Sequence, residues 1–334
     1  MSAPAVPASL PPEAADTVSR SRQHRARIGM IRDYGVYAAL IVLIIFNIIA
    51  TPHFLEVGNY RVQLVQVAPV VIVALGMAMV IGTEGIDLSV GAVMALSGSL
   101  IPLYLGYGVP IAIIAALLGG IASGMFSGVL VAYIGVQPIV ATLALLVGLR
   151  GIAQLLLGGQ FRQISSSSFN NLGTGAIAGI PIVVLVAVVV ALLVGFLVRR
   201  TTFGRRLVAI GGNPAASRLA GLPVRRTLLT VYVLSGMLAA LAGILLTAYQ
   251  KAGTPSTQGL LMELTAITAV VVGGTPLTGG RVRVIGTLAG ALLMQLVRAT
   301  LIKHNLPESS TQMVQAAIII LAVYLQRDRG GARR

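Results

Sequence analysis

Residues able to do chemistry are few in this 334-residue chain. It has nine Asp and Glu, three His and no Cys. The absence of cysteine excludes disulfides and thiolate metal sites. His24, His53 and His304 are far apart, and no metal-ligand spacing joins them. No GxxxxGK[ST] occurs; "GGTPLTGGR", Gly273–Arg281, is glycine-rich but lacks the Lys and hydroxyl that hold phosphate and magnesium. No GxSxG or HExxH suggests a hydrolase. What stands out is "GTEGIDLSVG", Gly82–Gly91, where Glu84 and Asp87 sit between two uncharged apolar runs, Val62–Thr83 and Leu88–Leu149. Two carboxylates beside Gly82, Gly85 and Gly91 could bind the hydroxyls of a solute. They could equally serve a tight turn, with Asp87 capping the next helix and Glu84 reaching to an interface.

The elements that must position these residues are set by solvent. The chain is 56% hydrophobic and only 10% charged, with mean hydropathy +0.93. A soluble domain carries about 25% charged residues, so most of this surface must face lipid. Uncharged runs such as Tyr34–Leu55, Gln163–Val198 and Thr227–Gln250 each hold the roughly 20 residues needed to cross a bilayer. They do not alternate apolar and polar residues, so helices rather than barrel strands are expected. Gly and Pro punctuation divides them into about ten transmembrane helices: 34–50, 64–82, 89–105, 110–133, 138–157, 180–198, 227–249, 260–274, 284–302 and 309–325. The eighth and ninth are short and Gly-interrupted, as broken transporter helices are. The expected class is an all-α polytopic membrane protein. Residues 1–33 are expected to form a disordered N-terminal tail, 34–325 the transmembrane domain with a polar loop at 199–226, and 326–334 a short C-terminal tail.

Arginine orients the chain. Basic residues cluster before the first span (Arg20 to Arg32), between the sixth and seventh (Arg199 to Arg226), and after the last (Arg327 to Arg334). With ten spans all three clusters share one side, which the positive-inside rule makes the cytoplasm, together with both termini. The net charge of +15 is thus a topology signal and an attraction to anionic membrane lipid. It is not a nucleic-acid signature, since the clusters hug span ends and no recognition module is visible.

The loop "RRTTFGRRLVAIGGNPAASRLAGLPVRR", Arg199–Arg226, is the largest polar segment after the N-terminal tail. Asn213-Pro214 reads as a cap followed by Pro at the first helical position. A short helix over Ala215–Ala220 then stops at Gly221 and Pro223. With Ala215, Ala216 and Ala220 outward, it has little to bury within its own loop. It suits a groove on another protein, or a position on lipid held by arginines.

The segment "AIGGNPAASRLAGLPV", Ala209–Val224, resembles the cytoplasmic signature of bacterial ABC importer permeases of the ribose/xylose/arabinose group. "GMAMVIGTEGIDLSVGAVMALSG", Gly76–Gly98, resembles that family's "GGIDLSVG" region. "AVVVGGTPLTGGRVRVIGTLAGALL", Ala269–Leu293, resembles its "GGTSLSGGRGSVIGTLLGALI" region. Together with "VQPIVATLALLVGLRGIAQLL" and "MVQAAIIILAVYLQ", these look most like the galactofuranose-type members. Glu84 departs from the family's usual small or basic residue, and Thr265 stands where "ELDAI" would place Asp.

The resemblance implies a permease subunit in the inner membrane that moves a monosaccharide, a pentose or a galactofuranose-like sugar. It has no ATPase site or bound cofactor of its own, ATP being used by a partner subunit. The implied partners are ABC ATPase subunits, a periplasmic or lipid-anchored sugar-binding protein and a second permease copy. Gly211, Gly212, Asn213, Pro214, Ala215, Ala216, Ala220 and Gly221 would form the ATPase-coupling loop. Glu84, Gly85, Asp87, Ser89, Gly279 and Gly280 would form turns at the inner mouth of the pathway, and the two turns resemble an internal repeat. Gln63, Gln66, Asn170 and Asn171 are candidates for polar residues facing the path or for bonds between helices. Two alternatives remain: an ABC permease for a branched-chain amino acid, nucleoside or autoinducer, and a self-contained secondary transporter or channel. The second would call for ionisable residues at mid-depth, whereas Glu84, Asp87, Glu263, Arg150 and Arg298 all read as lying near span ends.

Overall fold

A computed structural model describes residues 35–326. The expected N-terminal tail and all but the first residue of the C-terminal one lie outside the described residues. Among the described residues seven helices are long and apolar enough to cross a membrane: α2 (Val57–Gly82), α3 (Val90–Tyr104, extended by a 3-10 turn to Tyr107), α4 (Val109–Val129, extended by a π turn, Leu130–Ile134), α5 (Pro138–Leu157), α7 (Ile182–Arg200), α10 (Val224–Gln250) and α12 (Val284–Lys303). Three shorter apolar helices coincide with the first, eighth and tenth expected spans: α1 (Gly35–Ala50), α11 (Met262–Val272) and α13 (Glu308–Gln326, apolar over Ser309–Leu321). The remaining helices are short: α6 (Ser167–Thr174), α8 (Thr202–Gly212) and α9 (Pro214–Leu219).

The core forms around α2, whose most apolar window is 89% buried, against 28% for α4, α5 and α7. Residues Val67–Gly82 of α2 are buried on every face, as expected of a helix that is hydrophobic all round. Around it pack α7, α10, α11 and α12, with α3 bridging α10, α4 and α5. The outward faces of α1, α4, α5 and α7 expose large aliphatic side chains such as Val42, Ile114, Val147 and Leu192. Lipid can cover such faces at no cost, so the burial of apolar area does not by itself drive these helices together. Close packing does. Gly120 and Gly124 of α4 seat against the backbone of α10, where Gly236 faces them.

Helix α11 is only 11 residues long, which at 1.5 Å per residue covers about half of the ~30 Å hydrocarbon core. The irregular segment 251–261 precedes it, and its backbone finds partners within the protein. Two-residue strand β4 (Ala252–Gly253) pairs with β1 (Arg162–Gln163). Gln258 Nε2 donates to Gly243 O (2.9 Å) and Thr247 Oγ1 (2.8 Å) of α10. The Arg150 guanidinium of α5 donates to Gln258 O at 2.9 Å. Arg150 therefore does not simply reach from a span end: it is half-buried and ties α5 to this segment. A second pair of two-residue strands, the hairpin β2 (Ala176–Ile177) and β3 (Ile180–Pro181), leads into α7.

Candidate functional site

The polar loop 199–226 folds as two helices, α8 and α9. Thr201 caps α8, its Oγ1 accepting from Gly204 N at 3.4 Å. Leu207 and Ile210 turn inward and are fully buried, while Arg205 and Arg206 are exposed. This amphipathic pattern lays α8 along the end of the bundle. Asn213 then caps α9, accepting from Ala216 N at 2.9 Å, with Pro214 at the first helical position. Gly221 has φ +75 and closes α9. Its N–H donates to Arg218 O and the Leu222 N–H to Ser217 O, both at 3.0 Å. That pair of bonds is a Schellman motif, which needs a left-handed residue at this point. Ala215, Ala216, Ala220 and Gly221 are exposed, and Leu219 between them is 92% exposed.

Both glycine-rich turns meet the α8–α9 joint. The inbound helices α2 and α11 end alike. Glu84 N donates to Ile81 O (2.9 Å) and Gly85 N to Val80 O (3.1 Å). Gly274 N donates to Val271 O (2.9 Å) and Thr275 N to Val270 O (3.2 Å). Glu84 and Gly274 hold the left-handed position in the two turns, at φ 66 and 88. The turns join directly, Gly280 N donating to Gly82 O at 3.0 Å. Gly211 fills the space between them: a Cβ there would lie 1.9 Å from Gly82 O and 2.7 Å from Gly280 N. A Cβ at Gly279 would lie 2.7 Å from Gly211 O and 2.9 Å from Glu84 N. Three segments far apart in sequence thus meet at backbone distance, with the Leu207 and Val282 side chains packed against Gly82.

The two carboxylates part company. Glu84 is exposed at the turn, whereas Asp87 is buried. The expected helix cap at Asp87 takes a different form. Helix α3 begins at Val90 with Ser89 as its flanking residue, so Asp87 lies too early to reach the N–H groups inside the helix. Its Oδ1 accepts instead from Ser89 N (3.0 Å) and Ser89 Oγ (2.6 Å), and its Oδ2 from Ser235 Oγ (2.8 Å) near the middle of α10. Burial pushes this carboxyl above the usual range, and the bonds from Ser89 and Ser235 pull it back. Asp87 is a tie between the α2–α3 segment and α10, not an edge charge. Thr142 of α5 adds a second tie, its Oγ1 lying 3.2 Å from Ile86 O. Asp87→Ala leaves three donors without an acceptor and is expected to destabilise by about 1–3 kcal/mol. Asp87→Asn keeps an oxygen for Ser89 and should lose less. Thermal melting of the two purified variants checks this order.

Other expected residues fall elsewhere. Gln63 and Gln66 accept from Gln295 Nε2 of α12, both at 2.9 Å, which is the interhelical alternative. Asn170 Nδ2 donates to Ile164 O at 2.8 Å, and Asn171 O accepts from Gly175 N, so both lie in the loop around α6. Leu219 and Ser235 escaped sequence reading. Leu219 is one of several large apolar residues in the loop 199–226, so nothing local singles it out, and a serine within an apolar helix gives no signal either. Among the described residues no group of His, Asp or Glu could hold a metal.

A bundle of apolar helices, with a polar helix presented at one end and locked to two equivalent turns, defines a multi-pass membrane transport protein. The model of the branched-chain amino acid transport system / permease component family matches residues 61–323, and the chain belongs to that family. It is 37% identical to the galactofuranose transporter permease protein YtfT of Escherichia coli K12, over 97% of this chain and 96% of that one. It is 38% identical to the ribose import permease protein RbsC of Haemophilus influenzae, over 89% and 94%. It is 34% identical to the L-arabinose ABC transporter permease protein AraH of Azospirillum brasilense, over 93% of each chain. No solved structure matches the chain.

Proposed function

We propose that this chain is the permease subunit of an ATP-binding-cassette importer that carries a monosaccharide, a pentose or a galactofuranose-like sugar, across the inner membrane. Ten segments cross or enter the bilayer, with both termini and the α8–α9 loop in the cytoplasm. Separate ATPase subunits dock on α9. A second permease copy completes the pathway, and a sugar-binding protein delivers the solute from outside. ATP-driven closure of the ATPases pushes α9, and the joint at Gly211 passes that push to the two turns. The observation that carries the reading is the exposed α9, with Leu219 outward, seated on that joint. The names of the relatives, all sugar permeases, point the same way.

Reconstitution tests it. In proteoliposomes with the cognate ATPase and binding protein, labelled galactofuranose or ribose should accumulate only when ATP is supplied, and the chain alone should hydrolyse none. Uptake by this chain alone, driven by an ion gradient, overturns the importer. ATP-driven uptake of leucine and not sugar leaves the importer standing and replaces the solute. Reporter fusions at Gly212 and Ser166 should read opposite sides of the membrane; the same side for both overturns the proposed topology.

A further inference from the structure

The described surface has a cleft of about 780 Å³ where the π turn of α4 meets the start of α10. That volume suits a small-molecule site. Its lining includes Tyr133, Gly135 and Leu222 together with Arg218, Arg225 and Arg226. Among the described residues none of the three guanidinium groups has an ion-pair partner. No acidic residue lies in the first turn of α10 either, so nothing there offsets the arginines at the positive end of that helix. Unpaired positive charge of this density calls for an anion, and Arg is the side chain whose planar fork matches phosphate oxygens.

The apolar surface beside the cleft says which anion. Phe126, Val129 and Tyr133 of α4 are all exposed. Their spacing places them on one side of the helix, and they form a track from the apolar span to the cleft mouth. Phosphate alone has no use for such a track, and neither has an acidic protein loop. A phospholipid uses both parts: its headgroup phosphate among the arginines, its acyl chains along α4. Basic pockets between spans, at the level of the headgroups, bind anionic lipid in this way. We infer that the cleft between α4 and α10 is a binding site for a phosphate group, occupied by the headgroup of an anionic phospholipid such as phosphatidylglycerol. The inference needs the chain to lie in a bilayer, not that it imports sugar. Because Arg218 belongs to α9 and Arg225 and Arg226 to α10, a bound headgroup would bridge the polar loop and the span that follows it.

The test is lipid binding by the purified full chain, followed by native mass spectrometry with phosphatidylglycerol and phosphatidylcholine. Wild type should prefer phosphatidylglycerol. Replacing Arg218, Arg225 and Arg226 together by Gln should weaken that binding by about tenfold or more, since each arginine near a membrane surface contributes measurably. The triple replacement Arg200→Gln, Arg205→Gln and Arg206→Gln removes equal charge outside the cleft and should change it less than about twofold. The lysine triple at the cleft should fall between the two. If the glutamine triple does not fold, Arg226→Gln alone makes the same comparison. Equal losses in cleft and control triples mean diffuse attraction and overturn the site. Displacement of the lipid by millimolar inorganic phosphate makes it a site for free phosphate and overturns the lipid. Wild-type lipid binding in a cleft triple that no longer retains the ATPase assigns these arginines to the ATPase and also overturns it.

Discussion

Gly211→Ala is expected to abolish uptake, while Gly212→Ala, one residue on, leaves it near wild type. The two positions differ by no property visible in composition. A Cβ at Gly211 meets the Gly82 carbonyl oxygen at 1.9 Å and the Gly280 nitrogen at 2.7 Å, whereas at Gly212 it meets nothing within 4 Å. The atoms it meets are backbone, so no side chain can turn aside. Either α8 lifts from the turns or the Gly280 N–H to Gly82 O bond breaks. Overpacking of this kind costs about 1–3 kcal/mol or more. The loss should appear as a lower melting temperature together with failed ATP-driven uptake at normal membrane insertion. Gly212→Ala, in an open position, should fall within about 0.5 kcal/mol. Normal transport by Gly211→Ala would show that the joint carries no force.

Leu219→Asp should separate folding from coupling. Leu219 is 92% exposed, so its removal leaves no cavity in the chain, and the melting temperature should not move. If α9 docks in an ATPase groove, burying this leucine contributes about 1.5–3 kcal/mol to the complex. Aspartate forfeits that and places an unpaired charge in the contact. Retention of the ATPase should fall by at least about tenfold, with uptake falling alongside, while Leu219→Met should retain most of both. Undiminished ATPase retention by Leu219→Asp would mean that α9 is not the docking element. Gly221 is a weaker probe, because its φ of +75 makes any replacement perturb the helix end as well as the contact.

Much of this protein was legible from local rules. Apolar runs long enough to span a bilayer predict helices wherever they occur, because lipid offers backbone groups no partner outside a helix. The observed long helices begin and end close to the expected bounds at Pro138–Leu157 and Val284–Lys303. Asn213-Pro214 and Gly221 signal the two ends of α9, since caps are read by the few residues beside them. The glycine-rich turns are legible as turns for the same reason. Their likeness, weak as a repeat of letters, is sharper as geometry, with the same two bonds closing α2 and α11.

Long-range placement was not legible. The partners of Asp87 are Ser89, two residues on, and Ser235 on α10, so its burial depends on where α10 passes. Arg150 and Gln258 meet because the segment before α11 folds back into the bundle, a path that no pattern in 251–261 announces. Gly211 and Gly212 are the same letter, and only the approach of Gly82 and Gly280 leaves one no room for a Cβ and the other open space. The sequence by itself determined the solvent, the helices, the arginine asymmetry and the ends of α9, because each follows from hydropathy or from a few neighbouring residues. The tertiary structure alone decided which turns touch α8, which carboxylate is buried and which arginines share a cleft. Those outcomes rest on contacts between segments far apart in the chain, where packing at backbone distance, not the identity of any one residue, selects the neighbour.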